Sequence, residues 1–407
     1  MDGSYRVACL VSHPIQYQAP LFRYLAARPG IELTVFFLSD LSTGVYRDSG
    51  FGVNVKWDVP LLDGYRHDFL PRMGSGAGSG LSFWRPWTFG LRARLRRGRF
   101  DALWVHGYAH RGCLAGIAAA KSLGIPVMLR GESNLLSETA DALKLRVKRI
   151  AIPALMRRMD GVLAIGRLNR DYYLHYGVEA GRIFPMPYAV DNEFFRAAAE
   201  SARPNREALR AQLGLQPGRA VILFASKMQA HKRAADLLEA YARLSADGVA
   251  EPAPYLVFAG DGQERAGLER RARALKWDSI RLIGFRNQSE LPALYDLCDV
   301  FVLPSEHEPW GLVVNEAMNA GKPVIVSDRV GAAPDLVEEG VNGFIYPARD
   351  VATLAGRLRQ MIENPERRAA MGARTLETVT RLDFNADREG LLAALGSIVG
   401  KKALAAA

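Results

Sequence analysis

Residues 304–318 read PSEHEPWGLVVNEAM and follow the apolar run VFVL at positions 300–303. The apolar run predicts a buried parallel strand, and the prolines and glycine that come after it predict a tight loop. Positions 312–319 then predict a helix whose leucine, valine, alanine and methionine side chains face inward. The segment therefore combines a strand, a loop and a helix, with Glu308 in the loop and Glu316 about one turn inside the helix.

The start of this predicted helix suits an anion. Its first backbone N–H groups, near Leu312 and Val313, have no intrahelical acceptor, and together with the helix dipole they favour a phosphate group. A diphosphate between two carboxylates that bind hydroxyl groups is the outline of a nucleotide-sugar. Taken alone, Glu308 and Glu316 would fit an ordinary strand–loop–helix unit with two solvated glutamates. The interpretation therefore depends on the whole run.

The run resembles the Glu-x7-Glu signature of retaining glycosyltransferases of family 4, and AGKPVIVS at 320–327 with Val330-Gly331 continues the same pattern. The resemblance implies the GT-B fold, an α/β architecture of two facing, doubly wound Rossmann-like domains with an interdomain cleft and a C-terminal crossover helix. The domains implied are an N-terminal acceptor-binding domain at 1–195, a C-terminal nucleotide-sugar-binding domain at 196–382, and the crossover helix and tail at 383–407.

A second loop supplies positive charge to the same half of the chain. It reads SKMQAHKR at 226–233 and follows the apolar run 221–225. Two lysines in it match the places where family members hold the diphosphate, and each charge-assisted hydrogen bond contributes about 1.5–3 kcal/mol. The resemblance further implies that the strand end at 284–286 meets the base and that Glu316 binds the ribose. The donor-binding residues implied are Lys227, Lys232, Gly284, Phe285, Arg286, Gly311, Leu312, Val313 and Glu316.

The first half opens as a β-α-β unit, with strands at 7–12 and 31–38 and a helix at 19–28. Ligands of doubly wound sheets bind beyond the carboxyl ends of the strands, which is where Ser12 and His13 lie. The family commonly has a glycine-rich loop here, so its absence favours contacts from side chains. A structural role for His13 fits the pattern equally well.

Two further strand ends carry polar side chains. His106 follows the strand predicted at 101–105 and takes the place of the family's active-site histidine, so the resemblance implies that His106 and Glu308 contact the transferred sugar and are catalytic. Arg130 and Glu132 lie at the carboxyl end of the next strand, predicted at 125–130, and are candidates for lining an acceptor site. The loop PYAVD at 187–191 resembles the family's Asn-Gly-Val-Asp loop, with Tyr188 and Ala189 in place of its first two residues.

The charge is unevenly distributed along the chain. Positions 1–195 hold 25 Lys and Arg against 16 Asp and Glu, a formal charge of +9, whereas positions 196–407 hold 28 against 27, a charge of +1. This favours an anionic partner for the first half, either a phosphate-bearing acceptor or an anionic membrane surface. An arginine-rich face that serves only solubility fits the charge equally well. A basic amphipathic helix predicted at 140–159 is typical both of lipid-binding helices and of solvated ones. Nucleic acid is disfavoured because the arginine runs lack interleaved stacking residues.

Several features predict a cytoplasmic protein, at most peripheral at the inner face of the membrane. No apolar run approaches the length of a membrane span, and the N-terminus lacks a secretory pattern. The three cysteines, at positions 9, 113 and 298, are interpreted as buried thiols of a reducing compartment. The glycine–serine run at 74–80 predicts a mobile loop. No Asp-x-Asp triplet occurs, in agreement with a family that generally needs no divalent metal, so no cofactor is expected.

We therefore expect a glycosyltransferase, a hexosyl- or related transferase, that acts on a nucleoside-diphosphate sugar with retention, in glycan, glycolipid or polysaccharide biosynthesis. A lipid-linked acceptor and a small soluble one both fit the sequence. Two other classes remain open. One is another GT-B-like enzyme, such as a nucleotide-sugar epimerase or a phosphorylase, and the other is a non-catalytic sugar- or nucleotide-binding protein. The intact pairs Glu308/Glu316 and Lys227/Lys232 argue against the latter.

Overall fold

The structure is a computed structural model that describes residues 4–73, 81–137, 141–246, 253–275 and 277–405. The glycine–serine run expected to form a mobile loop lies outside the described residues. The chain divides into two compact units. The N-terminal unit comprises Met1–Tyr46, Val59–Val190 and Leu382–Ala407, and the C-terminal unit comprises Arg47–Asp58 and Asp191–Arg381.

Short strands alternate with helices along both units. In chain order the strands are β1 (Tyr5–Val11), β2 (Ile31–Phe37), β3 (Tyr46–Arg47), β4 (Asn54–Val55), β5 (Arg66–Phe69), β6 (Arg72–Met73), β7 (Trp87–Thr88), β8 (Ala102–His106), β9 (Val127–Arg130), β10 (Gly161–Ala164), β11 (Ile183–Pro185), β12 (Val221–Ala225), β13 (Tyr255–Ala259), β14 (Ile280–Gly284), β15 (Val300–Leu303), β16 (Val324–Ser327) and β17 (Gly343–Tyr346).

The α-helices cover most of the intervening segments. In chain order they are α1 (Ala19–Ala26), α2 (Leu91–Gly98), α3 (Arg111–Ser122), α4 (Ala142–Met156), α5 (Arg167–His175), α6 (Asn192–Ala202), α7 (Arg206–Gln212), α8 (Ala234–Ala246), α9 (Arg265–Ala274), α10 (Leu291–Leu297), α11 (Leu312–Asn319), α12 (Ala333–Leu336), α13 (Val351–Glu363), α14 (Pro365–Thr380) and α15 (Phe384–Ala405).

The N-terminal unit is built on a seven-stranded sheet in the order β11-β10-β9-β8-β1-β2-β5. Every pair in it is parallel. The central strands are apolar along most of their length and buried, as expected for a parallel sheet whose two faces are covered by helices. The chain builds outward from β1 through β2 to β5 and then returns through β8 to the other side of β1. The strand order therefore reverses between β1 and β8, which is where ligands of such sheets bind.

The C-terminal unit repeats this plan with six parallel strands in the order β14-β13-β12-β15-β16-β17. Its strand order reverses between β12 and β15. The strand and helix predicted from the opening motif are observed as β15 and α11 with the predicted boundaries. Two doubly wound α/β units confirm the predicted fold class.

The last helix returns to the N-terminal unit, as expected of a crossover helix. Helix α15 packs against β10 and β11. Near its start, the buried Asp387 carboxylate accepts a hydrogen bond of 3.0 Å from Arg130, the last residue of β9. The same guanidinium donates to the carbonyl oxygens of Met186 and Pro187 at 3.1 and 2.9 Å. This buried ion pair fixes the C-terminal helix to the first sheet.

The three cysteines are buried free thiols, as the sequence predicted. Within the ranges that the structure describes, none of the helices combines the length and the apolar character that crossing a bilayer requires.

Replacing Asp387 by Ala should lower the free energy of unfolding by roughly 3–5 kcal/mol, because it leaves the Arg130 charge buried without its carboxylate partner. The midpoint of denaturant-induced unfolding measures the loss. The matched control is Glu389→Ala, since Glu389 is an exposed acid on the same helix, and its effect should stay within about 0.5 kcal/mol. Equal midpoints for the two variants would contradict the structural role of the pair.

Candidate active site

The loop between β15 and α11 is held rigidly from two sides. Trp310 is 3% exposed, and its indole N–H donates to Asn315 Oδ1 at 3.0 Å, which ties the loop to the helix after it. On the other side, the backbone N–H groups of Gly331 and Ala332 donate to the carbonyl oxygens of Glu308 and Trp310, both at 3.0 Å. The Val330-Gly331 part of the sequence motif therefore positions the backbone that carries Glu308.

The structure brings Lys232 and Glu308 together. The Lys232 ammonium donates to Glu308 Oε2, and Ser305 Oγ donates to the same oxygen at 3.3 Å. These lysine and glutamate side chains are 13% and 12% exposed. The two loops also share a backbone hydrogen bond of 2.7 Å from Glu306 N–H to the His231 carbonyl. Because β12 and β15 are neighbours in the sheet, their following loops form one cluster with paired, nearly buried charges.

Helix α11 starts beside this cluster and presents free donors. Its N-cap is Gly311, whose φ of 99° is left-handed and costs a glycine little. The N–H of Val314 already bonds to the Gly311 carbonyl at 2.9 Å. The N–H groups of Leu312 and Val313 meet no acceptor within the described part of the chain, as the geometry of a helix start predicts. The donors expected for an anion are thus present next to Lys232 and Glu308.

Glu316 occupies a different environment from Glu308. Its side chain is buried and accepts a hydrogen bond of 2.6 Å from the hydroxyl of Tyr295, a residue of α10. Burial raises the pKa of Glu316 to about 7, although the Tyr295 hydroxyl acts to lower it. The sequence did not identify Tyr295, because nothing near this tyrosine in the chain indicates that it faces α11.

Lys227 lies directly after β12 but pairs with a different acid. Its ammonium donates to Asp48 at 2.9 and 3.0 Å, and Asp48 belongs to the segment Arg47–Asp58 of the same unit. Burial acts to raise the pKa of Asp48, but the hydrogen bonds and the charge of Lys227 outweigh it and lower the pKa below its usual range. The structure therefore does not bring Lys227 and Lys232 onto one acid.

The end of β14 carries the residues expected at the base. Gly284 is the last strand residue, and its carbonyl accepts a hydrogen bond of 2.8 Å from Gly260. The Phe285 ring lies edge-on to Phe51, with 4.8 Å between ring centroids, and its centroid lies 6.2 Å from that of Trp57. Phe285 therefore packs within an aromatic cluster.

The Arg286 side chain forms hydrogen bonds within the connection between β14 and α10. Its guanidinium donates to Glu290 Oε1 at 3.0 Å, one residue before α10, and to the Ile283 carbonyl at 3.1 Å. These bonds fix the side chain beside the end of β14.

In the N-terminal unit, the strand ends place His106 in a polar cluster. The side-chain nitrogen of Gln18 lies 2.8 Å from His106 Nε2, and Glu132 Oε1 lies 3.6 Å from the same nitrogen. The Tyr188 hydroxyl donates to Glu132 Oε1 at 2.6 Å. Burial acts to raise the pKa of Glu132, but His106, Tyr188 and Arg130 outweigh it and lower the pKa. His106 is thus fixed by a carboxylate and an amide.

Sequence reasoning missed Gln18 and noted Tyr188 only as a departure from the family loop. Gln18 precedes α1 and lies 88 positions from His106, so no local pattern could connect them. Ser12 and His13 follow β1 as expected, and Ser12 Oγ lies 2.9 Å from His13 Nδ1.

Arg130 requires a correction. It ends β9 as predicted, yet it is only 1% exposed and its guanidinium binds Asp387 and two backbone carbonyls. This burial contradicts the expectation that Arg130 lines an acceptor site, because a side chain enclosed in the interior cannot reach a ligand.

Two family models match the chain. The model described as "Glycosyl transferase 4-like domain" matches residues 14–189, and the model described as "Glycosyl transferases group 1" matches residues 205–378. The two matches cover the sheets of the N-terminal and C-terminal units respectively, apart from the strand β1.

Curated proteins with similar sequences are glycosyltransferases. The chain is 28% identical to an alpha-D-kanosaminyltransferase of Streptomyces kanamyceticus, over 70% of this chain and 74% of that protein. It is also 28% identical to a D-inositol 3-phosphate glycosyltransferase of Nocardiopsis dassonvillei, over 78% of this chain and 76% of that protein.

Solved structures share the fold at low sequence identity. A glycosyltransferase from Rickettsia africae aligns over 97% of this chain and 99% of its own with a TM-score of 0.71 at 14% identity. HepE of Anabaena, solved in complex with UDP, aligns over 95% and 98% with a TM-score of 0.70 at 19% identity. With its two doubly wound units and its matches to both family models, the chain belongs to the GT-B glycosyltransferases of the family 4 type.

Proposed function

We propose that this glycosyltransferase moves the sugar of a nucleoside-diphosphate sugar to an acceptor with retention of anomeric configuration, in glycan, glycolipid or polysaccharide biosynthesis. The observation that carries the proposal is the Lys232–Glu308 ion pair beside the free N–H groups at the start of α11. A lysine and helix N–H groups suit a diphosphate, and an adjacent carboxylate suits sugar hydroxyls. The UDP in the Anabaena structure supports a nucleotide as the carrier.

The C-terminal unit would bind the donor. The diphosphate would accept hydrogen bonds from Lys227, Lys232 and the backbone near Gly311, Leu312 and Val313. These donors would stabilise the charge that develops as the diphosphate departs, which is commonly the largest single contribution to such catalysis. Glu308, released in part from Lys232 by the phosphate, would bind hydroxyls of the sugar.

The nucleoside would be held further along the carboxyl ends of the same strands. Glu316 would bind the ribose hydroxyls, and its hydrogen bond from Tyr295 fixes the carboxyl group for that task. The backbone of Gly284, Phe285 and Arg286 would meet the base at the end of β14.

The N-terminal unit would supply the contacts with the acceptor and with the reacting sugar. His106 would contact the sugar, and Gln18 with Glu132 would hold its imidazole ring in one orientation. Ser12, His13 and Glu132 remain the proposed acceptor residues. The lowered pKa of Glu132 keeps it ionised at neutral pH, so it acts as a hydrogen-bond acceptor.

The donor itself can be identified first by thermal-shift measurements with nucleoside diphosphates and nucleotide-sugars, since a bound ligand stabilises the folded state by mass action. With that donor, Glu308→Gln should reduce the release of nucleoside diphosphate by roughly 100-fold or more, because the variant loses a carboxylate that contacts the reacting sugar. Affinity for the nucleoside diphosphate should not fall, because Lys232 keeps its charge and loses only the carboxylate that pairs with it.

The matched control is Glu306→Gln, since Glu306 lies two positions away and pairs with Arg349 instead of Lys232. Normal turnover of Glu308→Gln, or an equal loss in both variants, would contradict the assignment of Glu308. Conversion of the donor to an epimer without acceptor would contradict the proposed reaction itself.

We propose further that transfer needs no divalent metal, because two lysines and the α11 N–H groups can neutralise the diphosphate. Nucleoside diphosphate release should therefore continue at an unchanged rate after treatment with EDTA. Loss of activity that added Mg²⁺ or Mn²⁺ restores would contradict this part of the proposal.

An anionic membrane surface is the proposed location of the acceptor. Helix α4 exposes Leu143, Val147 and Ile150 to 72%, 57% and 76%, and their spacing puts them on one helix face. Lys144 and Arg149 lie exposed beside them. An apolar stripe bordered by cations is typical of helices that lie in the interface of anionic lipid.

The triple variant Leu143→Ser, Val147→Ser, Ile150→Ser should lose binding to vesicles of phosphatidylcholine with phosphatidylglycerol, as measured by co-sedimentation. The matched control is Val45→Ser, since Val45 is a similarly exposed apolar residue of the same unit. Wild-type protein that stays in the supernatant would contradict the membrane contact. A dimer of the wild type that light scattering detects, and that the triple variant no longer forms, would also contradict it.

A further inference from the structure

The segment Arg47–Asp58, hereafter the strap, connects two strands of the N-terminal unit but belongs to the C-terminal unit. In the chain it lies between β2 and β5, which are neighbours in the first sheet. Contacts at both of its ends and in its middle hold it against the second sheet. Nothing in the composition of residues 47–58 predicted this placement.

The first contact is an ion pair. The Asp48 carboxylate accepts hydrogen bonds from the strap's own backbone, from Gly50 N–H at 2.8 Å and Phe51 N–H at 2.9 Å. It also accepts two bonds from Lys227, at 2.9 and 3.0 Å. Its side chain is 12% exposed, and its pKa is lowered by these partners against the effect of burial. The strap therefore presents a fixed anion to Lys227.

The strap backbone also lies directly against this lysine. A Cβ atom built at Gly50 would stand 2.6 Å from Lys227 Cδ and 3.0 Å from its Nζ, so a larger residue there would have to displace the end of the lysine side chain. The Phe51 ring centroid lies 4.8 Å from Lys227 Nζ, at cation–π distance. Asp48, Gly50 and Phe51 of the strap thus all contact Lys227.

The remaining contacts lie at the end of β14. Phe51 and Trp57 pack edge-on around Phe285. Asn287 Nδ2 donates to the Lys56 carbonyl at 2.7 Å. Ser289 Oγ donates to Asp58, the last residue of the strap.

These contacts lie along the carboxyl ends of the strands of the second sheet. Lys227 follows β12 and Phe285 follows β14, with β13 between them. Because the carboxyl ends of parallel strands lie on the same side of a sheet, the strap runs across the carboxyl ends of all three strands. The proposed positions of the diphosphate and the base lie at these same strand ends.

We propose that the strap covers the donor site and that Asp48 competes with the diphosphate of the donor for Lys227. The inference rests on the proposed function, since it needs a nucleoside diphosphate at Lys227. A carboxylate with two oxygens on one ammonium occupies the hydrogen bonds that a phosphate would use. The donor must therefore displace Asp48, and the strap must move off Lys227 for the complete donor site to form.

Titration calorimetry with UDP, GDP, ADP, CDP and dTDP tests this competition. For the nucleotide that binds most tightly, Asp48→Asn should lower Kd by about 3–10-fold, because a neutral amide binds the ammonium less strongly than a carboxylate does. In a Lys227→Ala background, Asp48→Asn should leave Kd unchanged. The matched control is Asp278→Asn, which should also leave Kd unchanged. Asp278 precedes β14, so this variant removes the same charge at the amino ends of the strands, away from the strap.

The outcomes separate the strap from the function it depends on. Binding by the wild type with no gain, or a loss, in Asp48→Asn would overturn the competition while leaving the donor site in place. An equal gain in Asp278→Asn would also overturn it, since the effect would then come from net charge. Binding of none of the five nucleotides to any variant would overturn the proposed function as well.

Discussion

The reversal of strand order in each parallel sheet is the constraint from which both candidate clusters follow. A parallel strand must be reached by a crossover, so a chain that builds a sheet outward in one direction has to return to its first strand to extend it in the other. In the C-terminal unit this return makes β15 the neighbour of β12. Their loops then leave the sheet side by side, which brings Lys232 to Glu308.

Charge neutralisation explains the two lysine–carboxylate pairs at the carboxyl ends of these strands. Lys232 is largely enclosed and Lys227 is half-buried, and an ammonium that has lost part of its water is stabilised by an anion within hydrogen-bond reach. Glu308 serves one lysine and Asp48 the other. In the proposed donor complex, a diphosphate would offer both lysines the same kind of oxygen. The internal carboxylates would then neutralise the lysines when the donor is absent, and the donor would take their place.

Strand-end residues were predictable in position but not in role. His106, Arg130 and Glu132 all lie where the alternation of strands and helices put them. Arg130 nevertheless points into the interior toward Asp387, whereas Glu132 turns toward His106. The difference arises because Asp387 comes from α15, whose return to the first sheet places a buried acid beside one strand end alone.

The sequence by itself determined the alternating elements, the boundaries of β15 and α11, the family, and the loops that carry the lysines and glutamates. These follow from local periodicity, from turn residues and from a motif of contiguous positions. The tertiary structure decided the partners. Asp48 meets Lys227 across 179 positions, Gln18 meets His106 across 88, and Tyr295 meets Glu316 across 21. Such pairs depend on which strands become neighbours and how their connections pack, and no local pattern encodes that proximity.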